Sequence, residues 1–402
     1  MTLQAAGAGT RLLGGRALNA GPESYAEHLA RFGPLPAAPP RHDLIPRLEA
    51  SGLLGRGGGG FPVGRKWRAV AERSAGRAVV LANGAEGEPL SAKDRAVMTL
   101  RPHAVLDGAL LAAGAVGADE VILYIGAAHL AARRSMGDAL AQRPASLPVR
   151  IVAAPDRYVA GEESAAVHFV NDADARPTVV PPRPYERGVG GAPTLVQNVE
   201  SLAYAALIAR STGAGLGLVT VAGGVLPGVR EIQLGTSVGE IIGLRRDQGQ
   251  GARAVLLGGY FGRWVAADEA WDLPFEQASL RAAGLPFGCG VISVLGNDAC
   301  GVEATGRILD YLAGQSAAQC GPCVFGLRAI ADATRGLAAG SAGSQDLTRI
   351  EHWAGQLAGR GACRHPDGAA GLLFSALSTF GDEFSRHARS GGCSAGRPAK
   401  VD

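Results

Sequence analysis

Three different rhythms of hydrophobic and polar positions run along this chain, and each predicts a different kind of layer. Between about Asp43 and Arg210, amphipathic stretches alternate with short apolar runs: "DLIPRLEASGLL" reads as helix, "AVVLANG" as strand and "AVLDGALLAAGAV" as helix, while "DEVILYIG" and "VRIVAAP" read as strands. Such alternation predicts an α/β layer around a largely parallel sheet. From about Gly217 the pattern changes. "LVTVAGGVLPGVREIQLG" gives two β runs around a Pro-Gly turn, and "SVGEIIGL" follows as a short helix that Ser237 can cap, with Glu240 at the third position. Beyond Gly301 the spacing is helical almost throughout. "VEATGRILDYLAG", "VFGLRAIADATRGLAAG", "LTRIEHWAGQLAG" and "LLFSALSTFGDEFSRHA" predict four amphipathic helices with short connections, a bundle.

Composition narrows the classes. The chain has 402 residues, 47% hydrophobic and 19% charged, the profile of a folded globular protein with room for several cores. Its 39 basic against 36 acidic side chains leave a net charge of +3, too balanced for the basic footprint of nucleic-acid binding. Nowhere is there the run of about 18 apolar residues that a membrane span requires, so a cytoplasmic location is expected, with any membrane association made through partner subunits. All six cysteines fall at or after Cys289, a distribution that favours metal ligation or reduced thiols over a disulfide framework. Cys393 sits in "RSGGCSAGRPAKVD", a tail expected to be irregular and its thiol idle.

The most unusual stretch is "GLLGRGGGGFPVGRKW". Successive glycines let backbone N–H groups approach an anion closely, and Arg56, Arg65 and Lys66 stand beside them, so spacing points to a phosphate cradle. The stretch lacks the Lys-Ser/Thr pair of a P-loop, and it does not follow a strand as a dinucleotide fingerprint does. "SAAQCGPCVFG" supplies Cys320-x-x-Cys323 and "GACRHPDGAAG" supplies Cys363, soft ligands of the kind that hold iron-sulfur clusters. His365, two residues beyond Cys363, is unusually spaced for a zinc ligand and is expected to be an exposed helical histidine.

Taken in order, "GRGGGGFPVGRKW", "NGAEGEP" with "KDR", "YVAGEESA" and "GAPTLVQNVESLA" resemble the NADH-binding flavoprotein subunit of respiratory complex I and the diaphorase subunits of NAD-linked hydrogenases and formate dehydrogenases. The resemblance runs from about Arg41 to Phe384. It implies an α/β FMN-binding domain, a small β-grasp module like the family's soluble-ligand-binding unit, and a C-terminal helical bundle. The corresponding boundaries are an N-terminal extension at 1–40, the FMN/NADH domain at 41–212, the β-grasp module at 213–290, the iron-sulfur domain at 291–388 and the tail at 389–402.

It further implies FMN held by the loop of Gly55, Arg56, Gly57, Gly58 and Gly59 and by Lys66, with Asn83, Glu86 and Asn198 on the flavin. Tyr158 and Glu162 come with the "YVAGEESA" motif, and Phe61, Glu88 and Glu163 match residues that place NADH. Residue by residue there are structural alternatives: Asn83 can make a turn, Asn198 can cap a helix over Val199 to Ala206, and Tyr158 can be a core side chain. The chain also departs from the family pattern. Ala69 replaces an aromatic, Val180 and Arg183 replace a Lys and an adenine-side Phe, Ala85 replaces an Asp, and Gln197 replaces the first Asn of a pair. Ala317 stands where the first cluster cysteine belongs, leaving Cys320, Cys323 and Cys363. That set is compatible with a [4Fe-4S] cluster carrying a non-cysteine ligand, a [3Fe-4S] cluster, a fourth ligand from Cys300 or Cys289, or no cluster. The function implied is hydride transfer from NADH to FMN and one-electron transfer through the cluster to a protein partner. A ferredoxin-like donor or a degenerate scaffold subunit are the alternatives.

Overall fold

A computed structural model of the chain describes residues 11–14, 19–35, 41–143, 147–244 and 251–393. The first unit is built on a four-stranded parallel sheet ordered β3-β2-β1-β4, with β1 Ala78–Gly84, β2 Ala118–Gly126, β3 Val149–Ala154 and β4 Thr194–Asn198. Strands β1 and β2 are near-continuous apolar runs because both faces of this sheet are covered. One face meets a large core that includes Trp67, Met98 and Leu202, and the other meets a smaller one around Leu81, Ile122 and Val167. The helices Pro102–Val116 and Val199–Ala209 are buried almost all round and pack on each other so closely that a Cβ on Gly108 would stand 2.0 Å from the Leu202 carbonyl oxygen. β4 lies in a stretch whose hydrophobic pattern does not predict a strand.

The second sheet has five strands in the order β6-β5-β9-β7-β8. They are β5 Leu216–Ala222, β6 Gly228–Gln233, β7 Ala252–Leu257, β8 Arg263–Ala266 and β9 Val291–Gly296. β5 and β9 run parallel at the centre, and the other pairings are antiparallel. A five-residue helix, Val238–Ile242, follows β6, with Ser237 as its N-cap. Because β9 inserts between β5 and β7, this sheet continues past 290, the boundary expected from the sequence.

The C-terminal part is helical, with helices Gly301–Gly314, Leu327–Ala338, Ser344–Leu357, His365–Thr379 and Gly381–Ser390 around one core. The last predicted helix is two helices. The chain breaks at Phe380, whose ring packs on Trp264 and whose backbone leaves the helical region (φ −117°, ψ 23°). The final helix reaches Ser390, and Cys393 packs against the core, so the expected irregular tail does not begin at 389; residues 394–402 lie outside the described residues.

Candidate functional site

In an open parallel sheet, ligands settle at the carboxyl ends of the strands where strand order reverses. Here that point is between β1 and β4, which run side by side with Ala82 opposite Gln197 and Asn83 opposite Asn198. The glycine loop lies over it. A bridge between Leu54 and Pro62 and an N–H from Gly55 to the Phe61 carbonyl (2.9 Å) close the loop at its base, and Gly57 touches Asn198, to which an added Cβ would stand 3.4 Å away. Gly58 and Gly60 have φ of 105° and 58°, backbone that other residues adopt only with strain. A Cβ on Gly58 or Gly59 would meet nothing within 4 Å, so the loop presents bare backbone to an open space.

The charges around this loop divide in an unexpected way. Arg56 turns inward: its guanidinium donates to the Leu216 carbonyl (3.1 Å) and lies 5.3 Å from the centre of the Phe287 ring, so it is a core residue and is removed from the expected cradle. Its backbone N–H donates to the Ser201 hydroxyl and ties the loop down. Arg65 sits over the exposed ring of Phe61. Lys66 reaches the mouth and pairs with Glu163 at 2.8 Å, and Arg183 pairs with the same carboxylate at 3.4 Å. Although burial opposes it, these two cations hold Glu163 below the ordinary carboxylate range.

Several expected flavin ligands have structural partners. Asn83 Nδ2 donates to the Gly161 carbonyl (2.8 Å), and its Oδ1 accepts from Ala85 N. Asn198 Oδ1 caps the Val199–Ala209 helix through Glu200 N and Ser201 N, while its Nδ2 donates to Asp94 (2.7 Å). Glu86 accepts from Ser91, from Asp94 N and from Arg95, holding the start of the Lys93–Leu100 helix. Glu162 caps the helix Glu163–Asp172 through Ser164 N and Ala165 N. Gln197 differs: it is buried and its Oε1 has no partner. A buried amide oxygen left unpaired costs about 1–3 kcal/mol, so it marks a place where a hydrogen-bond donor belongs.

Beneath the site runs a network that the sequence pattern does not single out. Lys93 is buried between Asp94 (2.7 Å) and Glu200 (2.9 Å), whose charges keep its ammonium protonated against the pull of burial. The "KDR" and "NVE" triplets carry the signal, but their pairing needs the fold. Glu88 is held by Tyr158 Oη (3.0 Å) and by Tyr260 N (2.9 Å), and burial pushes its carboxyl up to about 7. Around it Tyr158, Tyr260, Phe261, Tyr311 and His365 pack edge to face, with one or more rings from each of the three units.

The three cluster cysteines converge at a turn beside this knot. Cys320 and Cys323 are in side-chain contact, and Ala362 N–H reaches the Cys320 sulfur from the loop that carries Cys363. Burial raises Cys320, but the N–H groups of Ala362 and Cys323 and the Cys323 thiol bring it below the ordinary thiol range; Cys323 is pushed up to about 12 by burial and by Cys320. His365 is buried, with Nε2 on the Leu312 carbonyl (2.7 Å) and no partner at Nδ1, which corrects the expectation of an exposed histidine. Neither candidate replacement cysteine joins the set. Cys300 caps the N-terminus of the 14-residue Gly301–Gly314 helix while Cys320 follows its C-terminus, a separation of about 20 Å at ~1.5 Å per residue. Cys289 lies beside Glu88, against Gly258 and Gly259. Ala318 has a φ of 52°.

Residues 48–206 match the Nuo51 FMN-binding domain, and residues 303–387 match the NADH-ubiquinone oxidoreductase-F iron-sulfur binding region. An NADH-quinone oxidoreductase subunit of Rhizobium meliloti is 30% identical over 373 residues, covering 86% of this chain and 88% of that protein. The chain belongs to the NADH-quinone oxidoreductase-F family. The corresponding protein of Streptomyces coelicolor is 28% identical over 377 residues, 87% of this chain and 84% of the relative. Among solved structures, an NAD+-reducing [NiFe]-hydrogenase in the air-oxidised state superposes with a TM-score of 0.79 at 27% identity, covering 92% of this chain and 67% of the matched chain. In this member of the NADH-quinone oxidoreductase-F family, the glycine loop, the unpaired Gln197 oxygen and the lysine at the mouth fit a phosphorylated flavin. The three thiols fit an iron-sulfur cluster with one iron lacking a cysteine.

Proposed function

We propose that this chain is the flavoprotein subunit of an electron-transfer complex, oxidising NADH at FMN bound between β1 and β4 and passing electrons through a cluster on Cys320, Cys323 and Cys363 to a protein partner. When bound, FMN supplies the conversion of one hydride into single electrons, which a protein side chain cannot do. The observation that carries this reading is the open glycine loop at the strand-order reversal between β1 and β4, where Gln197 Oε1 is buried and has no partner. Lys66 is the cation available to a phosphate, the bare N–H groups of Gly57 to Gly59 line the same mouth, and Asn83 and Asn198 hold the strand ends in place. Phe61, 53% exposed, offers a ring for a nucleotide to stack on, and Glu163 stands beside Lys66 at the mouth, while Glu88 is engaged by Tyr158 and Tyr260.

The five-stranded sheet supports a β-grasp reading. Numbered within the unit, its order is second, first, fifth, third, fourth, with a helix after the first hairpin. The units we propose are accordingly 41–212, 213–296 and 297–393. Among the described residues no helix is long and apolar enough to cross a membrane, so a membrane link would run through partner subunits.

One observation favours a second reading, in which a ferredoxin-like protein replaces NADH: Arg183 occupies the nucleotide side and ties up Glu163. An anaerobic absorption spectrum of the reconstituted protein, before and after adding NADH, separates the two. Flavin bands that bleach support NADH oxidation. Flavin bands that persist move the donor assignment to the protein carrier, and failure of the protein to take up FMN overturns both.

A further inference from the structure

Away from the flavin and the three-thiol turn, four side chains that the function does not use come together at the other end of the helical domain. The ligand atoms of Cys300, Glu383, His387 and Cys393 all lie within 4.8 Å of one another, the first three buried and the last half-buried. Glu383 and His387 are four apart on the Gly381–Ser390 helix and so share a face. Gly391, with a φ of 75°, ends that helix in the left-handed region and turns the chain so that Cys393 comes back to the same face. Cys300 arrives from the opposite side as the N-cap of the Gly301–Gly314 helix.

The donors are prepared for a cation. His387 Nδ1 is 2.9 Å from the Leu337 carbonyl, an arrangement that puts the ring proton on Nδ1 and leaves the Nε2 lone pair facing Cys300 Sγ at 3.3 Å. Imidazole metal ligands are oriented in this way by a carbonyl behind them. The Cys393 thiol contacts Cys300, and Glu303 N–H donates to the Cys300 sulfur. With bonds of ~2.3 Å to sulfur and ~2.0 Å to nitrogen, a tetrahedral zinc sets its donors about 3.5 Å apart; Cys300 Sγ and His387 Nε2 are 3.3 Å apart, and all four donors lie within 4.8 Å of one another. Charge also balances. Glu383 is neutralised by Arg253, so two thiolates meet one divalent ion.

We propose that Cys300, His387, Cys393 and Glu383 form a structural zinc site, separate from the iron-sulfur cluster, that pins the C-terminal helix and the segment after it to the start of the Gly301–Gly314 helix. Binding replaces the two thiol protons, which leave to solvent, by Zn²⁺; no electron is transferred. Sulfur and imidazole donors in a buried, closed set favour zinc over the hard divalent ions. The site closes the domain at the end opposite Cys320 and Cys323.

The test is metal analysis of the full-length chain, purified under reducing, anaerobic conditions and dialysed against EDTA. The expected result is about one zinc per chain, retained in a Cys320→Ser/Cys323→Ser/Cys363→Ser chain that has lost its iron, and missing from Cys393→Ser. Because Cys393 lies beyond the last helix, its substitution leaves the helices to fold. Cobalt added to the metal-stripped wild type should give thiolate charge-transfer and tetrahedral d–d bands that Cys393→Ser does not. Zinc that disappears with the cluster cysteines, a reduced wild-type chain that takes up neither metal, or a Cys300–Cys393 disulfide found by differential alkylation of the native protein would each overturn the site.

Discussion

The Lys66–Glu163 pair makes the flavin assignment measurable. The two side chains are 23% and 28% exposed and 2.8 Å apart, a half-buried pair of the kind worth about 0.5–1 kcal/mol. If Lys66 takes the FMN phosphate, binding must draw it away from Glu163 and leave that carboxylate facing an anion. Glu163→Gln should then tighten FMN by the value of the pair, about two- to fivefold. Lys66→Ala removes a charge-assisted bond worth about 1.5–3 kcal/mol and should weaken FMN by roughly ten- to 150-fold. Riboflavin has the same ring system and no phosphate, so its affinity should be the same in all three proteins. The assay is titration of flavin-free protein with each ligand, followed by quenching of flavin fluorescence, with the double variant closing the cycle. Equal loss of FMN and riboflavin affinity in Lys66→Ala, or weaker FMN binding by Glu163→Gln, refutes the placement of the phosphate.

Three further outcomes follow from the geometry. With Glu88 raised from 4.5 to about 7, the folded chain between those pH values holds a proton that the unfolded chain has released. Stability should therefore fall as pH rises through that window and level off above it, and urea midpoints for Glu88→Gln should lose this slope. Lys93→Met leaves Asp94 buried without its cation and Glu200 with only Arg56, 3.9 Å away, and should cost about 3–5 kcal/mol in urea unfolding, whereas the Lys93→Met/Asp94→Asn/Glu200→Gln chain should recover most of it; equal losses in the two would contradict the network. Ala317→Cys, combined with Ala318→Gly to relieve the positive φ, should supply a fourth thiolate and slow the loss of iron on exposure to air, as read by iron and sulfide analysis over time.

The residues that sequence makes legible are those whose role depends on local spacing. The alternation before Arg210, the glycine loop and the Cys320-x-x-Cys323 pair each sit where the pattern puts them. What stays hidden depends on tertiary neighbours. Arg56 looks like a phosphate ligand because it stands among glycines, yet Phe287 and the Leu216 carbonyl draw it into the core. β4 is hard to read because it is five residues long, starts after a proline and ends in Gln197 and Asn198, leaving too little alternation. His365 is expected outside because histidine on a polar stretch normally is; an aromatic knot of Tyr158 and Phe261 covers it. Asn83 and Asn198 hold backbone in place, as their structural alternatives have it, and Gln197, a departure from the family pattern, is the side chain whose oxygen is left unpaired.

That knot, with Glu88 at its centre, also bears on how the chain responds to force, heat and proteolysis. Units within a chain ordinarily move on one another unless their contact is large and apolar. Here Glu88 receives Tyr158 from the first unit and Tyr260 from the second, and both tyrosines lean on Tyr311 of the third. Pulling the second unit away would strip the Tyr260 N–H from that carboxyl, and pulling the third away would bare the rings of Tyr158, Tyr260 and Phe261 that pack on Tyr311 and His365. The three units should therefore melt in a single cooperative transition, and a fragment cut at either boundary would carry away an exposed aromatic face.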